Sequence, residues 1–244
     1  LDTEGSRWRM ESDLAGLDLE KLASVAKPWV ALPEGLTVAG SAGGRFRATG
    51  SGDTVATASA EVALETLNFS DAAGTLAGEK LSGTLTIDTT ADETSRLPAR
   101  GRVTLVAGQA YSDPVFLDFA AHHAELDIAG TLETETARFE ADAFSLDHAG
   151  VMKAGGQATV DFAGDILLPV AQIRIESLDL AGALPAYVQP FLIDSSFKDI
   201  AGSGTIKGDV AIDRGLPTRA EFDLESVTID SAAAAVSLKG LTGR

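Results

Sequence analysis

Residues 222–229 read FDLESVTI, and the spelling of this octapeptide decides the fold. Apolar residues alternate at Phe222 and Leu224, skip one extra position at Glu225-Ser226, and alternate again at Val227 and Ile229. Strand side chains change face at every residue, so a flat strand would put Val227 and Ile229 on the side opposite Leu224. If Glu225 and Ser226 together oppose one residue of a neighbouring strand, a bulge absorbs the extra residue and all four apolar side chains keep one face. The strand bends there, and a sheet in which several strands bend this way curves into a trough.

The phrase recurs as VALETLNF at 62–69, as IRIESLDL at 173–180 and, degenerate, as FEADAFSL at 139–146. Two copies lie inside a longer duplication, in which AEVALETLNFSDAAGTLAGEKLSG from residue 60 realigns without a gap on AEFDLESVTIDSAAAAVSLKGLTG from residue 220. Upstream, Leu17-Asp18-Leu19 matches Leu178-Asp179-Leu180, Pro28-Trp29-Val30 matches Pro190-Phe191-Leu192, and Ala39-Gly40-Ser41 matches Ala201-Gly202-Ser203. The expected organisation is one elongated repeat-built domain over residues 1–244, with pseudo-repeats at about 14–90 and 175–244 around an all-β middle at 91–174. Each unit buries its apolar face only against its neighbours. Leu1 opens without a Met or a basic-then-apolar signal segment, and the chain reads as a fragment of a longer protein.

Period-two alternation runs from about Val55 to Leu238, punctuated by Gly and Asp every ten or so residues, the spacing of an antiparallel meander. The predicted fold is mainly β: an elongated, curved antiparallel meander of roughly a dozen strands, U-shaped in section, with two short helices. The first helix carries Leu19, Leu22, Ala26 and Trp29 after Asp18 as N-cap, with Pro28 near its end. The second carries Leu184, Val188 and Phe191, with Pro185 in its first turn. Equivalent in the two repeats, these helices either cap open ends of the core or gate or divide a channel.

The inner face is expected to carry Leu64, Leu67, Phe69, Leu85 and Ile87 from the first repeat. The middle adds Val103, Leu105, Leu126, Ile128, Phe139, Phe144, Leu146, Val160 and Phe162. The last part supplies Ile173, Ile175, Leu178, Leu180, Phe222, Leu224, Val227 and Ile229. A ten-residue strand spans about 33 Å, so a central bend leaves two arms of roughly 16 Å, a gutter wide enough for hydrocarbon chains. Periodicity leaves a second arrangement open, a sheet folded over itself as a sandwich whose interior is only a core.

A net charge of −17 excludes a nucleic-acid partner, which needs a basic stripe to release counterions. Absence of cysteine excludes disulfides and thiolate metal sites. No candidate chemistry converges, so no catalytic residue, metal or cofactor is expected. Adjacent His122 and His123 point to opposite faces of a strand, and His148, alone beside Asp147, reads as a surface or turn histidine. The carboxylates of Glu133, Glu135, Glu140 and Asp142 fall on faces turned toward water. Asn68-Phe69-Ser70 matches a glycosylation sequon inside a predicted strand.

Residues 178–243, LDLAGALPAYVQPFLIDSSFKDIAGSGTIKGDVAIDRGLPTRAEFDLESVTIDSAAAAVSLKGLTG, resemble the AsmA-like envelope proteins of Gram-negative bacteria, in particular the YdbH branch, which carries a dicarboxylate-transport label. The resemblance covers the last quarter and, through the duplication, the first third. It implies a periplasmic protein anchored in the inner membrane, whose long curved sheet conducts phospholipids toward the outer membrane, with envelope proteins as partners at either end. It carries over no catalytic residues. A dicarboxylate cargo fits poorly with an acidic chain lacking a basic cluster. Two other classes remain open: an envelope scaffold that recruits partners by β-strand addition, and an adhesive β-repeat.

Overall fold

In a computed structural model of the chain, residues 7–26, 35–52, 54–90, 96–133, 135–164 and 166–244 are described. The strands are β1 (Arg7–Asp18), β2 (Thr37–Ser51), β3 (Thr54–Ser70), β4 (Leu76–Thr90), β5 (Arg96–Ser112), β6 (Val115–Asp118) and β7 (Ala124–Glu133). They continue with β8 (Arg138–His148), β9 (Met152–Asp161), β10 (Val170–Asp179), β11 (Ala201–Asp213), β12 (Leu216–Ser231) and β13 (Val236–Gly243). Neighbours in sequence are neighbours in space, in one antiparallel sheet of thirteen strands that curves without closing; the short β6 pairs only with the end of β5. Among the described residues all strands belong to this one sheet, and its edge strands β1 and β13 do not pair with each other.

The slipped phrase forms the bulge that its spelling predicts. In β12, Ser226 and Val227 oppose the single Gly204 of β11, while Glu225 and Ser226 oppose Thr242 of β13. In β3, Thr66 and Leu67 oppose Gly40, while Glu65 and Thr66 oppose Ser82. Ser226 and Thr66 both take left-handed backbone, at φ 53° and 52°, and each backbone N–H donates to a hydroxyl across the step, Thr242 Oγ1 at 3.2 Å or Ser82 Oγ at 3.3 Å. Gly40 and Gly204 sit at φ 119° and 101°, and a Cβ at either would lie 2.6 Å from the carbonyl oxygen of Thr66 or Ser226, so only glycine fits. The register therefore equates Gly40 with Gly204, two residues on from the Gly202 that letter matching selects.

β10 bulges at Glu176-Ser177, and β1 bulges at Ala15-Gly16 in a further copy of the phrase, SDLAGLDL, from which the Glu-hydroxyl pair has been lost. The degenerate copy in β8 also bulges, at Asp142-Ala143, but further from the bend than the others. Bending is thus staggered across the sheet rather than confined to one crease.

Asp18 caps α1 (Leu19–Ala26), its Oδ1 accepting from Glu20 N at 3.1 Å and Lys21 N at 3.2 Å. Trp29 and Pro28 lie outside the described residues. Asp179 caps the second helix in the same way, accepting from Ala181 N at 2.9 Å and Gly182 N at 3.4 Å. That helix starts four residues earlier than the sequence pattern suggests, as α2 (Leu180–Ala183). Pro185 does not open it but falls where α2 widens into a π-helical turn (Leu184–Val188), followed by a 3-10 turn (Gln189–Leu192). Proline has no N–H to continue the ladder, which accounts for the change of pitch there.

This helical segment lies on the apolar side of β11 and β12. Leu180, Leu184 and Val227 form a buried cluster, with Val188, Ile200, Ile206, Leu224 and Ile229 packed around it. Burial of each such side chain contributes about 1.5–3 kcal/mol. Its π turn also packs against β6.

Candidate functional site: the apolar inner face

Directly opposed residues on adjacent strands share a face, so the register can be followed across the whole sheet. Just below the bulges of β3 and β12 runs a row that crosses all twelve strands of the main path: Leu17, Ala42, Leu64, Gly83, Leu105, Ala124, His148, Met152, Leu178, Ile206, Leu224 and Gly243. The next row is Leu14, Gly44, Val62, Leu85, Val103, Leu126, Leu146, Ala154, Ile175, Gly208 and Phe222. The third is Ser12, Phe46, Ala60, Ile87, Gly101, Ile128, Phe144, Gly156, Ile173, Val210 and Ala220. The fourth is built mostly of small residues: Met10, Ala48, Ala58, Thr89, Ala99, Gly130, Ala141, Ala158, Ala171, Ile212 and Pro217. Below it lies the short run Leu97, Leu132, Phe139 and Val160.

Alanine exposure separates the faces over much of the sheet because alanine cannot shield itself, although Ala220 near the β12 end is exposed. Ala42, Ala48, Ala141, Ala154 and Ala171 in these rows are each 5% exposed or less, whereas Ala63 and Ala143 on the other face are exposed. The apolar face is the enclosed one. Its opposite is an ionic ladder: Arg45–Asp13 and Arg47–Glu11 at 2.9 Å, Arg102–Asp127 at 2.6 Å, Arg174–Asp209 at 3.1 Å and Lys207–Glu225 at 2.7 Å. These pairs are solvated, so they solubilise more than they stabilise. Arg96 spans Glu133 at 3.8 Å and Glu140 at 3.1 Å, which makes those carboxylates ion-pair partners rather than a catalytic dyad.

Most of the residues expected inside take their places in or next to these rows. Leu67, Phe69, Val227 and Ile229 continue the face above the bulges, facing Leu81, Gly78, Leu241 and Leu238 across the strands. Two depart from expectation. Leu180 is not on a strand but in α2, where its own packing hides it, and Phe162 sits in the turn after β9, 64% exposed. Val227 lies on the inner face but is sealed beneath the helical segment, at 1% exposure.

The two ends of the sheet are unequal above the first row. Strands β2 to β5 and β11 to β12 continue past it, while β7 begins there at Ala124, β8 ends at His148 and β9 begins at Met152. The helical segment sits in the gap, between β11 and β6. On the β6 side, the upper arms of β2 to β5 and the tip of α1 border a cavity of about 560 Å³, walled by Val38, Phe69, Gly78, Ala110, Phe116 and Glu20 among others. That is a volume typical of small-molecule sites.

His148 overturns its reading as a surface or turn histidine: it is 3% exposed and occupies the first row. Its Nδ1 lies 2.7 Å from the Tyr187 hydroxyl of the π turn, and its ring packs against Phe119 and, edge-on, against His122, with centroids 6.2 and 6.0 Å away. His122 is fixed by donating from Nδ1 to Ala149 O at 2.8 Å. Burial holds the His148 pKa below its usual value, with His122 adding to the effect, and burial raises that of Tyr187. Alternation alone could not bring His122 and His148 together, because the contact depends on where two turns fall.

Asn68 was legible only as a sequon. Its side chain instead clamps the β3 bulge, donating to Thr66 O at 2.7 Å and accepting from Lys80 N at 2.9 Å. No helix among the described residues is long and apolar enough to cross a membrane. Comparison of the chain with protein-family models, with curated proteins and with solved structures finds no match.

Proposed function

We propose that this chain is a lipid-conducting segment of a periplasmic envelope protein, one that moves phospholipids between the inner and outer membranes of a Gram-negative bacterium. Acyl chains lie against the inner face and head groups remain at its rim or in water. The observation that carries the reading is the continuity of that face: the four long rows contain a single ionisable side chain, His148, across eleven or more strands. Parts of the face are open to a ligand, with Met10 49% exposed and Ile87 and Phe222 each 41% exposed. Many similar contacts and few strong polar ones let a hydrocarbon chain slide without being trapped. The mechanism needs no proton transfer, nucleophile or metal from the protein.

Photo-crosslinking in cells tests it. Ile87 and Phe222 face inward and are each 41% exposed, while Asp223 faces outward. Photoreactive residues at positions 87 and 222 are expected to capture phospholipid. Capture at position 223 alone, or none at 87 and 222 in a folded protein, refutes the groove. A second reading, a scaffold recruiting partners by strand addition, is favoured by the outer edges of β1 and β13, which pair with no strand among the described residues. Native mass spectrometry separates the two, since a scaffold carries no co-purifying lipid.

A further inference from the structure

We infer that His148 and Tyr187 form a proton-operated latch, holding the helical segment at residues 180–192 in the gap above β7, β8 and β9 while His148 is neutral and releasing it when the imidazole is protonated. His148 is the one ionisable group in the apolar rows, and the gap in the wall lies directly above it.

Its hydrogen bonding is incomplete in a way that matters. Nδ1 meets the Tyr187 hydroxyl, but Nε2 is buried without a hydrogen-bond partner among the described residues. A neutral imidazole tolerates one unpaired nitrogen, whereas an imidazolium has two N–H donors to satisfy and a charge to place. Protonation would also force Nδ1 to donate, leaving only the Tyr187 oxygen to receive it.

The surroundings of His148 act on a cation in both directions: burial and the two neighbouring histidines disfavour it, the His122 backbone and Asp147 favour it, and the balance is against it. From the turn between β6 and β7, His122 presents a ring edge and His123 lies nearby. β7 and β9 contribute Ala124 and Met152, and the helical segment contributes Tyr187. The adjacent carboxylate, Asp147, points to the outer face and is engaged by Lys153 at 2.7 Å.

The direction with pH follows from the burial. The His148 pKa is held below the ordinary 6.5, so its contribution to closure is complete above that value and is lost as pH falls below 6.5 toward the folded pKa. Above 6.5 the segment stays docked. Under acid it detaches from β6, and the wall between β6 and β11 opens. That such opening admits or releases lipid rests on the conduit reading; the latch itself does not.

The test uses the natural absence of cysteine. A single cysteine replacing exposed Phe191, labelled with an environment-sensitive fluorophore, reports on docking between pH 8 and pH 5. A transition with its midpoint below 6.5 is expected, absent in His148→Gln and retained in His122→Gln and His123→Gln. Tyr187→Phe, which keeps the titrating ring, is expected to be undocked already at pH 8. A flat wild-type profile, or an unchanged transition in a folded His148→Gln protein, overturns the latch. Binding of fluorescent phosphatidylethanolamine, measured in parallel, separates the ideas: lipid bound without any movement of the segment sinks the latch alone, and movement without lipid at any pH sinks the conduit alone.

Discussion

Deleting Ser226 is the sharpest test of how this sheet keeps one face apolar. Without the extra residue, β12 becomes a flat strand above Leu224, and Val227 and Ile229 turn outward together with the chain that follows. Val227 is 1% exposed and Ile229 is packed against the same cluster, so removing both from their neighbours costs about 3–5 kcal/mol at 1.5–3 kcal/mol per fully buried side chain. The deletion also relieves left-handed backbone at Ser226, which gives back about 1–2 kcal/mol. The net expectation is a loss of about 1–4 kcal/mol, read as a shift in urea midpoint at an unchanged slope. Ser226→Gly removes the strain while keeping the bulge and is expected to be neutral or stabilising by up to about 1 kcal/mol. In a Val227→Cys background, the thiol should be unreactive with Ser226 present and reactive when it is deleted. A deletion that costs less than about 1 kcal/mol and leaves position 227 protected would refute the reasoning.

Other outcomes follow from the same geometry. Asn68→Ala removes two hydrogen bonds that clamp the first-repeat bulge, and a loss of about 1–2 kcal/mol is expected in urea titration. Asp179→Ala removes the cap of α2 and should cost about 1 kcal/mol, with hydrogen exchange accelerating at residues 180–192 before the strands respond. Asp199, whose carboxylate accepts from the Ser231 hydroxyl at 2.6 Å and from Ala233 N at 2.9 Å, has its pKa lowered by these bonds. Its contribution is therefore present above pH 3.8 and lost as pH falls below it. Ser231→Ala should weaken that acid dependence in thermal melts, and an unchanged profile would show the bond to be idle.

Much of the fold was legible because two letters of period decide it. Strict alternation announces strands, and an extra residue at Glu225-Ser226 or Glu65-Thr66 announces a bulge in an otherwise one-sided strand. The copy in β1 was harder to see because Gly16 reaches left-handed backbone unaided and needs no Glu-hydroxyl spelling. The equivalence of Gly40 with Gly204 was hidden for a similar reason: matching Ala-Gly-Ser letters competes with matching the glycine that must face a left-handed residue. The start of α2 was missed because Pro185 is as suited to a first turn as to the π turn it occupies, whereas the capping carboxylate of Asp179 is the stronger signal. His148 could not be read from local pattern at all. Its surroundings come from the turn at 118–123, the turn at 149–151 and the helical segment, three pieces that meet only when the sheet has curved.

The fourth row has a kinetic meaning. Alanine and glycine have no side-chain rotamers to freeze, so contact with the half-buried Ala58, Ala99, Gly130 and Ala158 costs the wall no side-chain entropy. Leucines would rearrange around each visitor and settle into preferred fits; these small residues have nothing to rearrange. A flexible molecule drifting along them would meet shallow, nearly identical wells, and its mobility would be set by its own stiffness more than by the protein's.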